Sequence, residues 1–204
     1  MAFLKSWKKA FKGDSFDFDY HFMWDHYSDP GYYKIAELLS KDIKNLKKNG
    51  LNGFVSCQVQ RAFFPTGLGM YVMGRTLWND GLEFNEIAER YFECAFGRDG
   101  RKCLEYMARL SELFDPPYLR GERDATDKNA AERFSGICEY VDKFRKVIEA
   151  NIDSKNSCNA ASWKYLKYHS DLCCLFAVVL EARASGKQEK ALALWRLVET
   201  YVQE

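Results

Sequence analysis

Phe16-Asp-Phe-Asp-Tyr-His-Phe-Met23 and Gly53-Phe-Val-Ser-Cys-Gln-Val-Gln60 are the stretches whose reading decides the fold. In the first, Phe16, Phe18, Tyr20 and Phe22 alternate with Asp17, Asp19, His21 and Met23, the two-residue period of a strand with unlike faces. The second is short and partly β-branched, which also reads as a strand. Between them, after Asp29-Pro30-Gly31, residues Ile35, Leu38, Leu39, Ile43 and Leu46 recur at helical spacing, and Lys44, Lys47, Lys48 and Gly50 close that helix. The order is strand, helix, strand, a βαβ unit, and such a unit cannot close a sheet alone.

Downstream the pattern is helical throughout. Leu68 to Trp78, Phe84 to Ala95 and Cys103 to Phe114 each carry apolar residues three and four apart, with stops at Asn79-Asp80-Gly81, Gly97 and Pro116-Pro117. Leu119 to Lys128 is a charged linker without period, and Ala130 to Ala150, Ser162 to Ala184 and Lys187 to Val202 form longer helices. The expected fold is mainly α with one βαβ unit: a C-terminal remnant of a parallel (β/α) barrel over residues 1–81, then an α-helical bundle over 82–204. Upstream of the βαβ unit, Phe3, Leu4, Trp7, Ala10 and Phe11 share a helical face opposite Lys5, Lys8, Lys9 and Lys12. The apolar stripe is expected to pack on a sheet, although the pattern also suits a membrane surface.

Composition bounds the function. Hydrophobic residues make up 47% and aromatic residues 16% of the 204, the make-up of a packed domain. Thirty basic residues stand against 29 acidic ones, and that balance argues against nucleic acid as a partner. The longest apolar run, Leu172 to Leu180, is too short to span a membrane, so no membrane partner is expected. Seven cysteines without a Cys-x-x-Cys pair suggest free thiols in a reducing cytoplasm. No Gly-x-Ser-x-Gly elbow is present, and Pro65-Thr66-Gly67-Leu68-Gly69 lacks both the third glycine of a dinucleotide fingerprint and the lysine of a P-loop. No cofactor and no metal are expected: the spacings of His21, Asp25, His26 and Asp29 match no zinc motif.

The candidate site lies where the two strands end. On a solvated antiparallel sheet, Asp17, Asp19 and His21 would simply meet water. In a parallel barrel their face would point inward and line a cleft. Asp19 and Asp25 are the acids placed for catalysis, and His21, Trp24, Gln58, Gln60 and Arg61 the residues placed to bind substrate. Amides, acids, a cation and an exposed ring suit a sugar, which presents hydroxyls and one apolar ring face. On this reading the aromatics Phe16, Phe18, Tyr20 and Phe22 pack beneath Ile35, Leu39, Ile43 and Leu46, while Asp17, Asp19 and His21 face away.

Phe18-Asp19-Tyr20-His21-Phe22-Met23-Trp24-Asp25, Asp42-Ile43 ahead of Gly50-Leu51-Asn52-Gly53-Phe54, and Met70-Tyr71-Val72-Met73-Gly74-Arg75-Thr76-Leu77-Trp78-Asn79, in that order and spacing, resemble one family. It comprises large bacterial glycoside-hydrolase-like proteins carrying a domain of unknown function, distantly similar to α-glucuronidases and β-hexosaminidases. The resemblance covers roughly residues 16–106 and implies the C-terminal portion of a carbohydrate-active protein, inactive alone, with a carbohydrate substrate for the whole. Six barrel strands and the usual acid/base carboxylates would lie upstream. The exposed strand edge would then be a surface for association. The alternative is a stand-alone helical module that binds another protein through its βαβ front.

Overall fold

The two strands are only four residues long, the first because the chain turns after Asp19 although its alternation continues, and helices take nearly everything else. In the computed structural model, which describes residues 2–58 and 63–203, β1 (Phe16–Asp19) and β2 (Gly53–Ser56) pair in parallel, with Phe16 opposite Gly53, Asp17 opposite Phe54, Phe18 opposite Val55 and Asp19 opposite Ser56. Helix α1 (Ala2–Ala10) precedes β1, and α2 (Tyr33–Asn45) is the crossover. After β2 come α3 (Leu68–Trp78), α4 (Phe84–Phe96), α5 (Gly100–Leu113), the one-turn α6 (Pro116–Leu119), α7 (Lys128–Ser135), α8 (Ile137–Asn151), α9 (Ser157–Ala184) and α10 (Gln188–Gln203). The chain is therefore mainly helical with a small parallel sheet, as its periodicities indicate.

Boundaries differ where side chains cap the ends. Helix α9 begins at Ser157, five residues before its apolar stripe, because the Asn156 side chain accepts from the backbone N–H groups of Cys158 and Asn159. The stretch expected as one helix from Ala130 to Ala150 is divided at Gly136 into α7 and α8. Pro116 and Pro117 do not merely stop a helix but occupy the first turn of α6, where a missing N–H costs nothing.

The main core lies around α9, against which α4, α7, α8 and α10 pack. Trp163, Tyr106, Phe92, Phe96, Phe114 and Phe134 fill it and are fully buried. A smaller cluster of Phe22, Ile35, Leu39, Ile43 and Met73, flanked by Leu46, Phe54 and Met70, joins the end of β1 to α2 and α3. Ala36, Leu68 and Val72 belong to the main cluster, so α2 and α3 join the βαβ segment to the main core. Their joint is tight: a Cβ on Gly31 would lie 2.2 Å from the Ser111 nitrogen of α5, a separation only glycine allows. Ser111 Oγ in turn accepts from the Tyr33 N–H at 3.1 Å, and Asp29 Oδ2 from the Ile35 N–H at 2.8 Å, completing the N-terminus of α2.

Two expectations are overturned here. The aromatic face of β1 does not lie under α2: Phe16 is 61%, Phe18 48% and Tyr20 39% exposed, while Asp19 is only 3% exposed. Register decides this, because residues opposite one another share a face. Phe54 packs into the smaller cluster beside Leu46, and this carries Asp17, Asp19 and Ser56 to the helix side and Phe18 and Val55 outward. Phe22 alone of the four is buried, because the chain turns after Asp19, with Met23 N–H donating to the Tyr20 carbonyl, and the strand alternation ends. Likewise α1 buries none of its residues, leaving Phe3, Trp7 and Phe11 exposed rather than packed on the sheet.

Candidate functional site

Asp19 can occupy the covered face of β1 because its charge is satisfied. One carboxylate oxygen takes a proton donor from His21 Nδ1, and Ser56 Oγ donates to the other at 2.9 Å across the strand pair. His21 Nε2 lies 3.3 Å from Asp42 Oδ2 on α2. The imidazole thus sits between two carboxylates, hydrogen-bonded at Nδ1 and within ion-pair distance at Nε2, which favours the doubly protonated ring. Gln58 Nε2 donates to Ser56 Oγ at 3.1 Å and extends the network along β2.

The electrostatics follow from these contacts. Burial alone would push His21 down, but the hydrogen bond and charge of Asp19, then the charges of Asp42 and Asp25, outweigh it and raise its pKa above the ordinary value. Burial would raise Asp19, yet its bonds to His21 and Ser56 hold it below the usual carboxylate range. Asp17 is raised, by burial first and then by its neighbour Asp19. The site is therefore a histidine ring, favoured in its protonated form, held between a buried acid favoured in its ionised form and an exposed one. It can hold or relay a proton at His21, while Asp19 orients the ring.

Trp24 lies outside this network. It stacks on Tyr20 with ring centroids 4.9 Å apart and planes 9° from parallel, and Tyr20 meets Phe18 at 5.1 Å. The three rings form an exposed aromatic strip on the outward face, continuing to the strand end.

Of the residues singled out in the sequence, Asp19, His21 and Gln58 come together, although on the face toward α2 rather than away from it. Asp25 opens a 3-10 turn, Asp25–Ser28, and lines a different cleft with Asp29, Asp115 and Arg120, reaching His21 only through its charge. Gln60 and Arg61 lie outside the described residues. Asp42 was not among the candidates, and no spacing rule links a residue in mid-helix to a strand end. Its proximity is set by the crossover of α2 over β1. Among the described residues no group of three or more histidine, cysteine or acidic side chains is arranged to hold a metal ion, and all seven cysteines are free. Also among them, no helix is long and apolar enough to cross a membrane. No family model, no curated protein and no solved structure matches this chain, so its chemistry rests on the geometry of the site itself.

Proposed function

We propose that this chain is the C-terminal part of a glycoside-hydrolase-like, carbohydrate-active (β/α) barrel protein, contributing residues to a sugar cleft at the carboxyl ends of its strands. The observation that carries the reading is the bare aromatic face of a parallel strand pair. Parallel strands are ordinarily covered on both faces, by helices on one side and by the barrel interior or more helices on the other. Here α2 and α3 cover one face, while Phe16, Phe18, Tyr20 and Val55 leave the other open. Further strand–helix units closing a barrel would bury that face.

The site chemistry is revised accordingly. On the barrel side of the strands stand rings rather than acids, so Trp24, at the end of the strip, is the residue that stacks on a sugar. Asp19 serves as the positioning group of His21. The exposed Asp25 is the carboxyl free to act as acid or base, and its partner carboxyl, about 5 Å or about 6.5–9.5 Å away according to stereochemical course, would come from another strand. Gln60 and Arg61 remain the groups proposed to bond sugar hydroxyls, whereas Gln58, on the face toward α2, extends the Asp19 network instead.

The coding sequence upstream of Met1 provides the test. It should encode more strand–helix units, and the chain extended by them should hydrolyse aryl glycosides that the 204 residues alone leave intact. An unrelated upstream neighbour, or an extended chain inactive on a broad aryl glycoside panel, would overturn the reading. The first of these results would favour a helical interaction module instead.

A further inference from the structure

A second concavity lies at the same end of the sheet and is of a different chemical kind. It has a volume of about 320 Å³. Tyr27 and Tyr32 come to it from the loop after β1, Phe64 from the connection after β2, His169 and Phe176 from α9, and Trp195 from α10. Both βα connections therefore wall it. Ligands of parallel α/β sheets bind beyond the carboxyl ends of the strands, where such connections meet.

Its lining selects the occupant. Among the described residues, no charged side chain borders it. Its histidine is neutral as well, because burial holds His169 down to about 4, and Cys173 Sγ lies 3.5 Å from His169 Nε2. An ionic group would lose its hydration here and gain no counter-charge. The walls are rings set edge to face: Tyr32 to His169 at 6.0 Å and 72°, Phe64 to His169 at 6.1 Å and 71°, Phe176 to Trp195 at 6.2 Å and 62°. Such an arrangement offers ring faces and edges to a further ring, an attraction an aliphatic chain lacks. A cavity of roughly 150 Å³ suffices for benzene, so this one admits two fused rings.

We propose that this cavity binds an uncharged aromatic ring system, the aryl substituent of the substrate. The assignment of the ring to a substrate rests on the proposed function; the binding itself does not. Tyr27 sits three residues beyond Trp24 in the same turn, so one short segment carries both the ring proposed to stack on a sugar and a wall of this cavity.

Titration calorimetry of the 204-residue chain with 2-naphthol tests the cavity. One-to-one saturable binding is expected, weakened at least tenfold by Val202→Trp, which fills the mouth from an exposed position on α10, and weaker still for dodecanoate. Should circular dichroism show Val202→Trp misfolded, Tyr27→Ala replaces it, the side chain being 60% exposed, with a severalfold loss expected. Absence of saturable 2-naphthol binding, equal affinity in the folded variant, or tighter binding of dodecanoate overturns the proposal. Glycoside hydrolysis is measured on the extended chain, so loss of one result leaves the other standing.

Discussion

Replacing Trp163 by Phe isolates the contribution of one buried N–H. Trp163 is fully buried in α9, and its Nε1–H donates at 3.0 Å to the carbonyl of Phe96, in the last turn of α4. One turn earlier on α9, Asn159 Nδ2 donates to the Cys94 carbonyl at 2.8 Å. Carbonyls in the last turn of a helix have no partner within it, so α9 completes the end of α4 with two side chains. Phenylalanine preserves an aromatic body against Phe96 and Phe144 but removes the donor. Stranding a buried carbonyl costs about 1–3 kcal/mol. The smaller ring adds about 1 kcal/mol, a fraction of the ~3–5 kcal/mol of full truncation to alanine. The expected loss is roughly 2–4 kcal/mol, read by urea unfolding as a midpoint lowered by about 1 M or more at constant slope, for a slope near 2–3 kcal/mol/M. Trp195→Phe is the matched control: its indole donates to Glu199 on an exposed surface, and its loss should stay within about 0.5 kcal/mol. If Trp163→Phe costs no more than Trp195→Phe, the capping role assigned to α9 is wrong.

Phe22→Ala should cost about 3–5 kcal/mol, whereas Phe18→Ala, half exposed, should cost about 1 kcal/mol or less, both by the same denaturation assay. The larger Phe18 penalty implied by a packed strand face would return if that face were covered. His21 should titrate above 6.5 by NMR of its ring protons, and Asp19→Asn should lower that value. Its raised pKa gives stability that is present below about 6.5 and lost as pH rises through the folded value. His169 runs the other way: its folded value near 4 means that acidification from 6.5 toward 4 removes stability, on the order of 3 kcal/mol, which His169→Phe should abolish from the pH profile. In the extended chain, Asp25→Asn should lower kcat/KM for aryl glycosides by tenfold or more, and an unchanged value would remove Asp25 from the chemistry.

The order of elements was legible in the sequence because each depends on a local period. Ile35, Leu39 and Ile43 announce α2, and Phe84, Ile87, Ala88 and Phe92 announce α4, with no knowledge of what they touch. The face of β1 that is covered depends instead on pairing. Alternation at Phe16 to Met23 defines two faces but cannot say which one meets α2, and aromaticity pointed to the wrong one. What decides it is that Phe54 anchors β2 and that Ser56 and His21 satisfy Asp19, partners 37 and 2 residues away in sequence. The gathering of Asp19, His21 and Gln58 was legible through shared strand ends. The contribution of Asp42, from a helix face, and the separation of Asp25 into another cleft were not, because the first follows from the crossover of α2 over β1 and the second from how the loop after β1 turns.

The central position of α9 has a consequence for synthesis. Phe92 and Phe96 leave the ribosome about 70 residues before Trp163, the residue that seals them, which at ~5–20 residues per second is roughly 4–14 s. Helices α4, α7 and α8 are complete by then, and their apolar sides have no α9 to close on. A nascent chain in this interval resembles a bundle without its axle, prone to self-association and open to chaperones that hold apolar surface. Codon choice or a stall just before Asn156 would lengthen that interval, so yield in the cell should respond to translation speed over this short window more than to changes of comparable size in the finished core.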